Sequence, residues 1–242
     1  MNSEQLAEKL VLWIKDKVVA GGCKGVVIGM SGGLDSSVLA VLCQRAFPQN
    51  TLGMIMPCYS RSEDKAHAQA VASKFSIPTV EVVLDGIFSA LLQVLPDYKP
   101  DPAVGHLAQA NLKVRLRMLT LYYIANQLGY MVAGSSNRGE ISVGYFTKYG
   151  DGGVDIMPLG NLVKAEVREL AGLVGIPQPI IEKPPSAGLW EGQTDEDELG
   201  FSYDELDRYL LTGEASGEVR EKIESRIAAS AHKRSLPPIP SM

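Results

Sequence analysis

The chain has 242 residues and carries 23 Lys and Arg against 28 Asp and Glu, a net charge of −5. With 45% hydrophobic and 21% charged residues it has the balance of a soluble globular protein, with no run long enough for a membrane span. The acidic surplus argues against a general nucleic-acid surface. Three scattered cysteines (Cys23, Cys43, Cys58) argue against a disulfide framework or a zinc site. Met1-Asn2-Ser3-Glu4-Gln5 lacks the basic and apolar regions of a signal peptide, so the expected setting is cytoplasmic.

In chain order, Leu6, Leu10, Trp13, Ile14 and Val18 have helical spacing and predict a helix over 3–20. Strand-like runs follow at 25–30, 51–57, 79–84 and 130–133, and helical patterns at 35–47, 63–75, 86–95 and 105–128 fall between them. That alternation predicts an α/β fold: a doubly wound parallel sheet with helices on both faces, joined by right-handed crossovers. The stretch 96–104 is proline-rich and reads as a linker rather than helix. In the helix at 105–128, Leu107, Val114, Met118, Leu121 and Ala125 are expected to form the buried stripe. Beyond Glu140 the pattern is irregular until a helix near 164–174. A long loop with an acidic end spans 183–200, and C-terminal helices at about 203–211 and 217–232 precede a proline-rich tail.

The most informative segment is Val26-Val27-Ile28-Gly29-Met30-Ser31-Gly32-Gly33-Leu34-Asp35-Ser36-Ser37. An apolar strand ends in a Ser-Gly-Gly turn and a helix begins at an Asp-Ser-Ser cap. Such a junction gathers unpaired backbone N–H groups and the positive end of a helix dipole, a ready anion site. The loop has no lysine, which separates it from the GxxxxGK[ST] phosphate loop. Ser-Gly-Gly-x-Asp-Ser is instead similar to the pyrophosphate loop of ATP pyrophosphatases.

Other constellations leave two readings each. Glu140 follows the strand at 130–133 and so is expected at the same sheet edge as Asp35. Two carboxylates beside a triphosphate suit Mg²⁺, while the plainer role for Glu140 is to cap the next segment. The stretch 144–155 (Gly-Tyr-Phe-Thr-Lys-Tyr-Gly-Asp-Gly-Gly-Val-Asp) is a binding loop or a hairpin-like turn, with Lys148 suited to phosphate and Asp155 to a ribose hydroxyl. Asn111 and Arg115 share a helix face. Of the charges there, only Arg115 is expected to meet ligand, with Lys113 and Arg117 read as solvated. The 183–200 loop is a lid or an acidic connector. His232-Lys233-Arg234 needs no more than a helix C-terminal role.

Taken together, these motifs resemble the ammonia-dependent NAD synthetases, a branch of the N-type ATP pyrophosphatases with a Rossmann-like, adenine-nucleotide alpha-hydrolase-like fold. The resemblance runs through 31–37, 111–118, 144–155, 158–164, 183–200 and 232–234, so it takes residues 1–242 as a single unit. It implies that Gly29, Met30, Ser31, Gly32, Gly33, Leu34, Asp35 and Ser36 cradle ATP, helped by Ser135, Lys164 and Ser186. It implies that Asp35 and Glu140 hold Mg²⁺, with Lys164 joining them as a catalytic group. Arg115, Lys148, Asp155, His232 and Lys233 would bind deamido-NAD. Ser135 and Ser186 stand where the family usually has threonine, and Val114 where it often has alanine. The implied reaction adenylates the nicotinate carboxylate of deamido-NAD and then transfers ammonia to it, giving NAD, AMP and pyrophosphate. Asp151 or Asp155 would take up the proton of the attacking ammonia. Without a recognisable glutaminase segment, the nitrogen donor would be free ammonia or ammonia from a separate partner, and the family implies a homodimer. A tRNA thiolase or a GMP synthetase subunit would share the first loop, and a non-catalytic nucleotide sensor is the rival of another class.

Overall fold

The computed structural model describes residues 2–99, 101–186, 192 and 194–240. Its sheet has four parallel strands, β1 (Val26–Gly29), β2 (Thr51–Ile55), β3 (Thr79–Glu81) and β4 (Met131–Ala133), in the order β3-β2-β1-β4. Period-two alternation sends Val26 and Ile28 into one core and Val27 into the other, and likewise separates Ala133 from Val132. Helices α1 (Ser3–Ala20), α2 (Leu34–Ala46), α3 (Ser62–Lys74) and α7 (Lys164–Val174) cover the first face. Helices α4 (Asp85–Val94) and α5 (Pro102–Leu128) cover the second. The doubly wound sheet expected from the sequence is therefore what forms.

A third cluster (Val143, Leu199, Phe201, Tyr203, Leu206, Ile223) joins α6 (Arg138–Val143), α9 (Asp195–Leu199), α10 (Tyr203–Thr212) and α11 (Gly217–Ala229) into a helical lobe beside β4. The remaining helix, α8 (Gln178–Glu182), follows α7.

Several expectations need correction. Residues 102–104 are helical: Pro102 sits at the first turn, where its missing N–H costs nothing, and the Asp101 side chain accepts from Ala103 N. The first loop's helix starts at Leu34 with Gly33 as N-cap, one residue earlier than the Asp-Ser-Ser reading. The Ser36 and Ser37 hydroxyls turn back onto the Gly33 carbonyl at 3.1 and 2.7 Å. The acidic end of the 183–200 segment is helix α9, capped by Thr194, while residues 187–191 and 193 of that segment lie outside the described residues. Helix α11 ends at Ala229, and a short 3₁₀ turn, Ala231–Lys233, follows. In α5 the buried residues are Ala110, Leu116 and Ala125, whereas Leu107, Val114, Met118 and Leu121 wall a cavity. An apolar stripe facing a cavity has the same period as one facing a core.

Candidate active site

The strand order reverses between β2 and β4 around β1, and at such a switch point the crevice opens at the carboxyl ends of the strands. A cavity of about 730 Å³ lies there. Its floor is the first loop, where Gly29, Met30, Ser31, Gly33, Leu34, Asp35 and Ser36 all line the space. Gly32 turns away instead. Its φ is +79°, and a Cβ there would lie 2.0 Å from the Asp64 carbonyl oxygen, so only glycine fits. Ser31 Oγ lies 2.9 Å from Ser36 Oγ and accepts from Gly33 N at 3.3 Å, which ties the loop to the helix start. The first amides of α2, at Leu34, Asp35 and Ser36, have no acceptor within the helix and meet the cavity.

Above this floor stand Asp35 from α2, Glu140 from α6 and Lys164 from α7, brought from three separate parts of the chain. Lys164 Nζ lies 2.5 Å from Asp35 Oδ2 and 3.9 Å from Glu140 Oε1, and over the Tyr203 ring at 4.9 Å from its centroid. Asn137 Nδ2 donates to the other Asp35 oxygen at 3.0 Å. Both readings of Glu140 hold at once. Its Oε2 accepts from Asn137 N at 3.1 Å in a reciprocal capping box, while Oε1 faces Lys164 and Tyr203. Burial, then the charge of Asp35, pushes the Glu140 carboxyl up to about 8. Burial alone would lower the Lys164 ammonium, but the carboxylates of Asp35 and Glu140 outweigh it and the net direction is up.

The helical lobe fixes this group from behind. At the α7 N-terminus Glu166 accepts from Val163 N at 2.9 Å, but Val163 offers no side-chain acceptor for the amides that follow. Asp207 of α10 fills that place, accepting from Lys164 N at 3.2 Å and Ala165 N at 2.9 Å. Asp195 is buried, lines the cavity, and accepts from the Tyr145 and Tyr203 hydroxyls at 3.0 Å each. Its amide donates to the Pro185 carbonyl at 3.0 Å, which tethers the Pro184–Ser186 segment to the site. Burial raises the carboxyl of Asp195 and the phenols of Tyr145 and Tyr203.

The opposite wall is α5 and the 144–155 loop. Thr147 Oγ1 donates to Asn111 Oδ1 at 2.6 Å, and Thr147 N to Asp151 Oδ1 at 2.7 Å. The tight turn at 147–153 and the cavity wall are thus the same object, so the turn and binding-loop readings of this stretch coincide. Asp151 is exposed where it opens to the cavity, and desolvation by the protein around its carboxyl raises it. Lys233 also lines the cavity, donating to the carbonyls of Gly144 and Phe146 at 2.8 Å each.

Of the sequence-predicted ligand contacts, the cavity brings together Ser31, Asp35, Ser36, Ser135, Glu140, Lys164, Ser186 and Lys233 with Gly29, Met30, Gly33 and Leu34 of the first loop, whereas Gly32 does not line it. Arg115, Lys148, Asp155 and His232 do not line it. Arg115 Nη2 donates to the Lys148 carbonyl at 3.3 Å, and Lys148 Nζ to the His232 carbonyl at 2.5 Å, forming one surface cluster. Asp155 accepts from Tyr122 Oη at 2.9 Å and Val132 N at 2.8 Å. The reading of Arg117 as solvated is overturned: it is half-buried in the cavity wall, donating to Met56 O at 3.0 Å and Ser60 Oγ at 3.1 Å. Asn137, Asp195 and Asp207 also hold the site together without having been expected to from the sequence. Only Asn137 had a local signal, the Asn-x-x-Glu spacing of a capping box; the other two act on residues far away in the chain.

Among the described residues, no three His, Cys, Asp or Glu side chains are arranged to hold a metal. The cavity instead offers two carboxylates already bridged by one cation, beside an anion-binding loop, the donor set of an ion that completes its shell with phosphate and water.

The profile of a family described as NAD synthase matches residues 6–237. The chain belongs to the NAD synthase family. Like the family, it is a carbon–nitrogen ligase of NAD biosynthesis. It is 48% identical to the NH(3)-dependent NAD(+) synthetase of Carboxydothermus hydrogenoformans over 242 residues, covering 100% of this chain and 99% of that one. Among solved structures it is similar to an NMN synthetase from Francisella tularensis, with a TM-score of 0.93 and 35% identity over 100% of both chains. It is also similar to an NH3-dependent NAD synthetase from Campylobacter jejuni in complex with the nitrate ion, with a TM-score of 0.81, 27% identity and 100% of both chains covered.

Proposed function

We propose that this chain converts deamido-NAD to NAD with ATP and free ammonia, and that residues 1–242 act as one unit in doing so. The observation that carries this reading is the junction of an anion-binding loop with the Asp35–Lys164–Glu140 group in a single cavity. The triphosphate would lie on Ser31–Ser36, with Ser135, Lys164 and Ser186 around it. Asp35 and Glu140 would hold Mg²⁺, which when bound supplies positive charge against the pyrophosphate oxygens.

The nicotinate carboxylate then attacks the α-phosphorus of ATP. Its oxygen–phosphorus bond forms as the bond to pyrophosphate breaks. Lys164 and the first amides of α2 take up the charge that moves onto the leaving group. Ammonia next attacks the acyl carbon, AMP leaves, and one proton must be removed from nitrogen. Asp151, open to the cavity, is placed for that proton better than Asp155, whose carboxylate is engaged by Tyr122 and Val132. No covalent nucleophile is needed.

The far end of deamido-NAD would extend over Arg115, Lys148 and His232. Arg115, Leu119 and Tyr123 share one face of α5, and Leu119 and Tyr123 are 62% and 63% exposed. We place a homodimer interface on that face, closing over the ligand. No helix among the described residues is long and apolar enough to cross a membrane. The three free cysteines and the biosynthetic family support a cytoplasmic setting.

The similarity to an NMN synthetase favours a second acceptor, nicotinate mononucleotide, which keeps the reacting carboxylate and lacks the adenylate half. The test incubates the purified protein with ATP, Mg²⁺ and ammonium, offering deamido-NAD or nicotinate mononucleotide. Equal yields of NAD, AMP and pyrophosphate from deamido-NAD, with a clearly lower kcat/KM for the mononucleotide, establish the proposal. The reverse preference establishes the second reading. Pyrophosphate with neither acceptor consumed refutes both.

A further inference from the structure

Lys164 stands where the divalent ion of the proposed reaction has to act. Its side chain is 3% exposed, and one ammonium already spans Asp35 Oδ2 and Glu140 Oε1. The backbone beneath it is pinned, because Asp207 accepts from both Lys164 N and Ala165 N. Any movement of the ammonium must therefore be a rotation of its own side chain.

A divalent ion held by Asp35 and Glu140 would sit within contact distance of that ammonium. Like charges so close in a buried site repel strongly, so the two cations exclude each other there. Leaving without a new partner would strand a buried ammonium, and that is costly as well. The cavity offers one place rich in negative charge once it is filled, the nucleotide phosphates above Ser31–Ser36. We propose that Lys164 is a placeholder cation. It holds the Asp35 and Glu140 carboxylates together in the free protein and gives up that place only when ATP phosphates draw it away, so that metal and nucleotide bind as a pair. The inference rests on the reading of Asp35 and Glu140 as the metal-holding carboxylates. Asn137 and Tyr203 keep those carboxylates in position while the cations exchange. By linkage, whatever factor the nucleotide adds to the metal's affinity the metal adds to the nucleotide's.

The test titrates the full chain with Mn²⁺ and follows free Mn²⁺ by electron paramagnetic resonance. Without nucleotide, wild type should bind weakly, and Lys164→Met about ten-fold or more tightly. The gain should vanish in Lys164→Met/Glu140→Gln. A lysine that merely supports the fold predicts the opposite sign, so equal or weaker Mn²⁺ binding by Lys164→Met overturns the proposal. If circular dichroism shows Lys164→Met unfolded, Lys164→Gln takes its place. Wild type alone gives a second reading: Mn²⁺ affinity should rise when α,β-methylene-ATP is added, after allowing for Mn²⁺ bound by free nucleotide, and equal affinity overturns the proposal. The underlying metal reading fails separately, if Glu140→Gln binds Mn²⁺ in the nucleotide complex as wild type does.

Discussion

At the floor of the cavity, charged groups find their partners inside one chain: Asp35 meets Lys164 and Asn137, Glu140 meets Lys164 and its own cap, and Asp195 meets two tyrosines. Around Arg115 the same chain is built differently. Arg115 and Lys148 donate to backbone carbonyls at the surface, and the apolar residues one and two turns along α5 face outward. The first region is preorganised for charge that develops during reaction, which is where fixed dipoles and ions accelerate chemistry. The second leaves Leu119 and Tyr123 exposed, the face on which the proposed homodimer would close. Under the proposed function, the first region would be the reaction centre and the second the platform for the far end of the substrate.

The sharpest way to break that comparison is to damage each end separately. Asp35→Asn removes the charge that Lys164 meets and that the proposed metal would require, and NAD formation should fall by about 10²–10³-fold, since charge stabilisation lost at the reacting centre costs that much. Steady-state kinetics on folded protein measures it, and a loss below ten-fold would remove Asp35 from the centre. Arg115→Ala should act on the other parameter. KM for deamido-NAD should rise by about ten-fold, the worth of one charged contact, with kcat changed little. If the proposed homodimer forms through this face, Leu119→Glu with Tyr123→Glu should give monomer in sedimentation and raise the same KM. If the double variant stays dimeric with KM unchanged, the α5 face is not the interface.

How much of this was legible in the sequence follows the same division. The floor is local: a strand, two glycines and a helix start are contiguous, so their geometry can be read directly, down to the anion site. The sheet was legible too, because β1, β2 and β4 are apolar runs between helical periods. Arg117 was misread because helical spacing gives the angle between side chains and not which side the protein lies on. The α5 stripe was misassigned for the same reason, as Leu107, Val114, Met118 and Leu121 face a cavity. Asp195 and Asp207 were invisible because their partners, Tyr145, Tyr203 and the first turn of α7, are brought to them only by the fold. The 183–200 loop read as a lid or an acidic connector, yet Asp195 in its acidic end is buried and lines the cavity.

Asp207 offers the smallest and most discriminating perturbation, since it touches the reaction centre only through the backbone of Lys164. Asp207→Asn keeps one acceptor and loses the other, so the first turn of α7 should lose about 1 kcal/mol of capping. Burial raises the Asp207 carboxyl above its ordinary value of 3.8 in spite of the two amides it accepts from. The native state therefore holds this proton more tightly than the unfolded chain. Stability contributed at this position is full below the ordinary carboxylate pKa and falls as pH rises through the raised value. Asparagine has no such titration, so the penalty of the substitution should be largest near pH 4 and smaller near pH 7. Denaturant unfolding at the two pH values measures it. A penalty that grows with pH would mean that the helix dipole and amides favour the ionised cap over its burial cost. Turnover should fall only severalfold, because the Lys164 ammonium keeps its partners while the turn beneath it loosens.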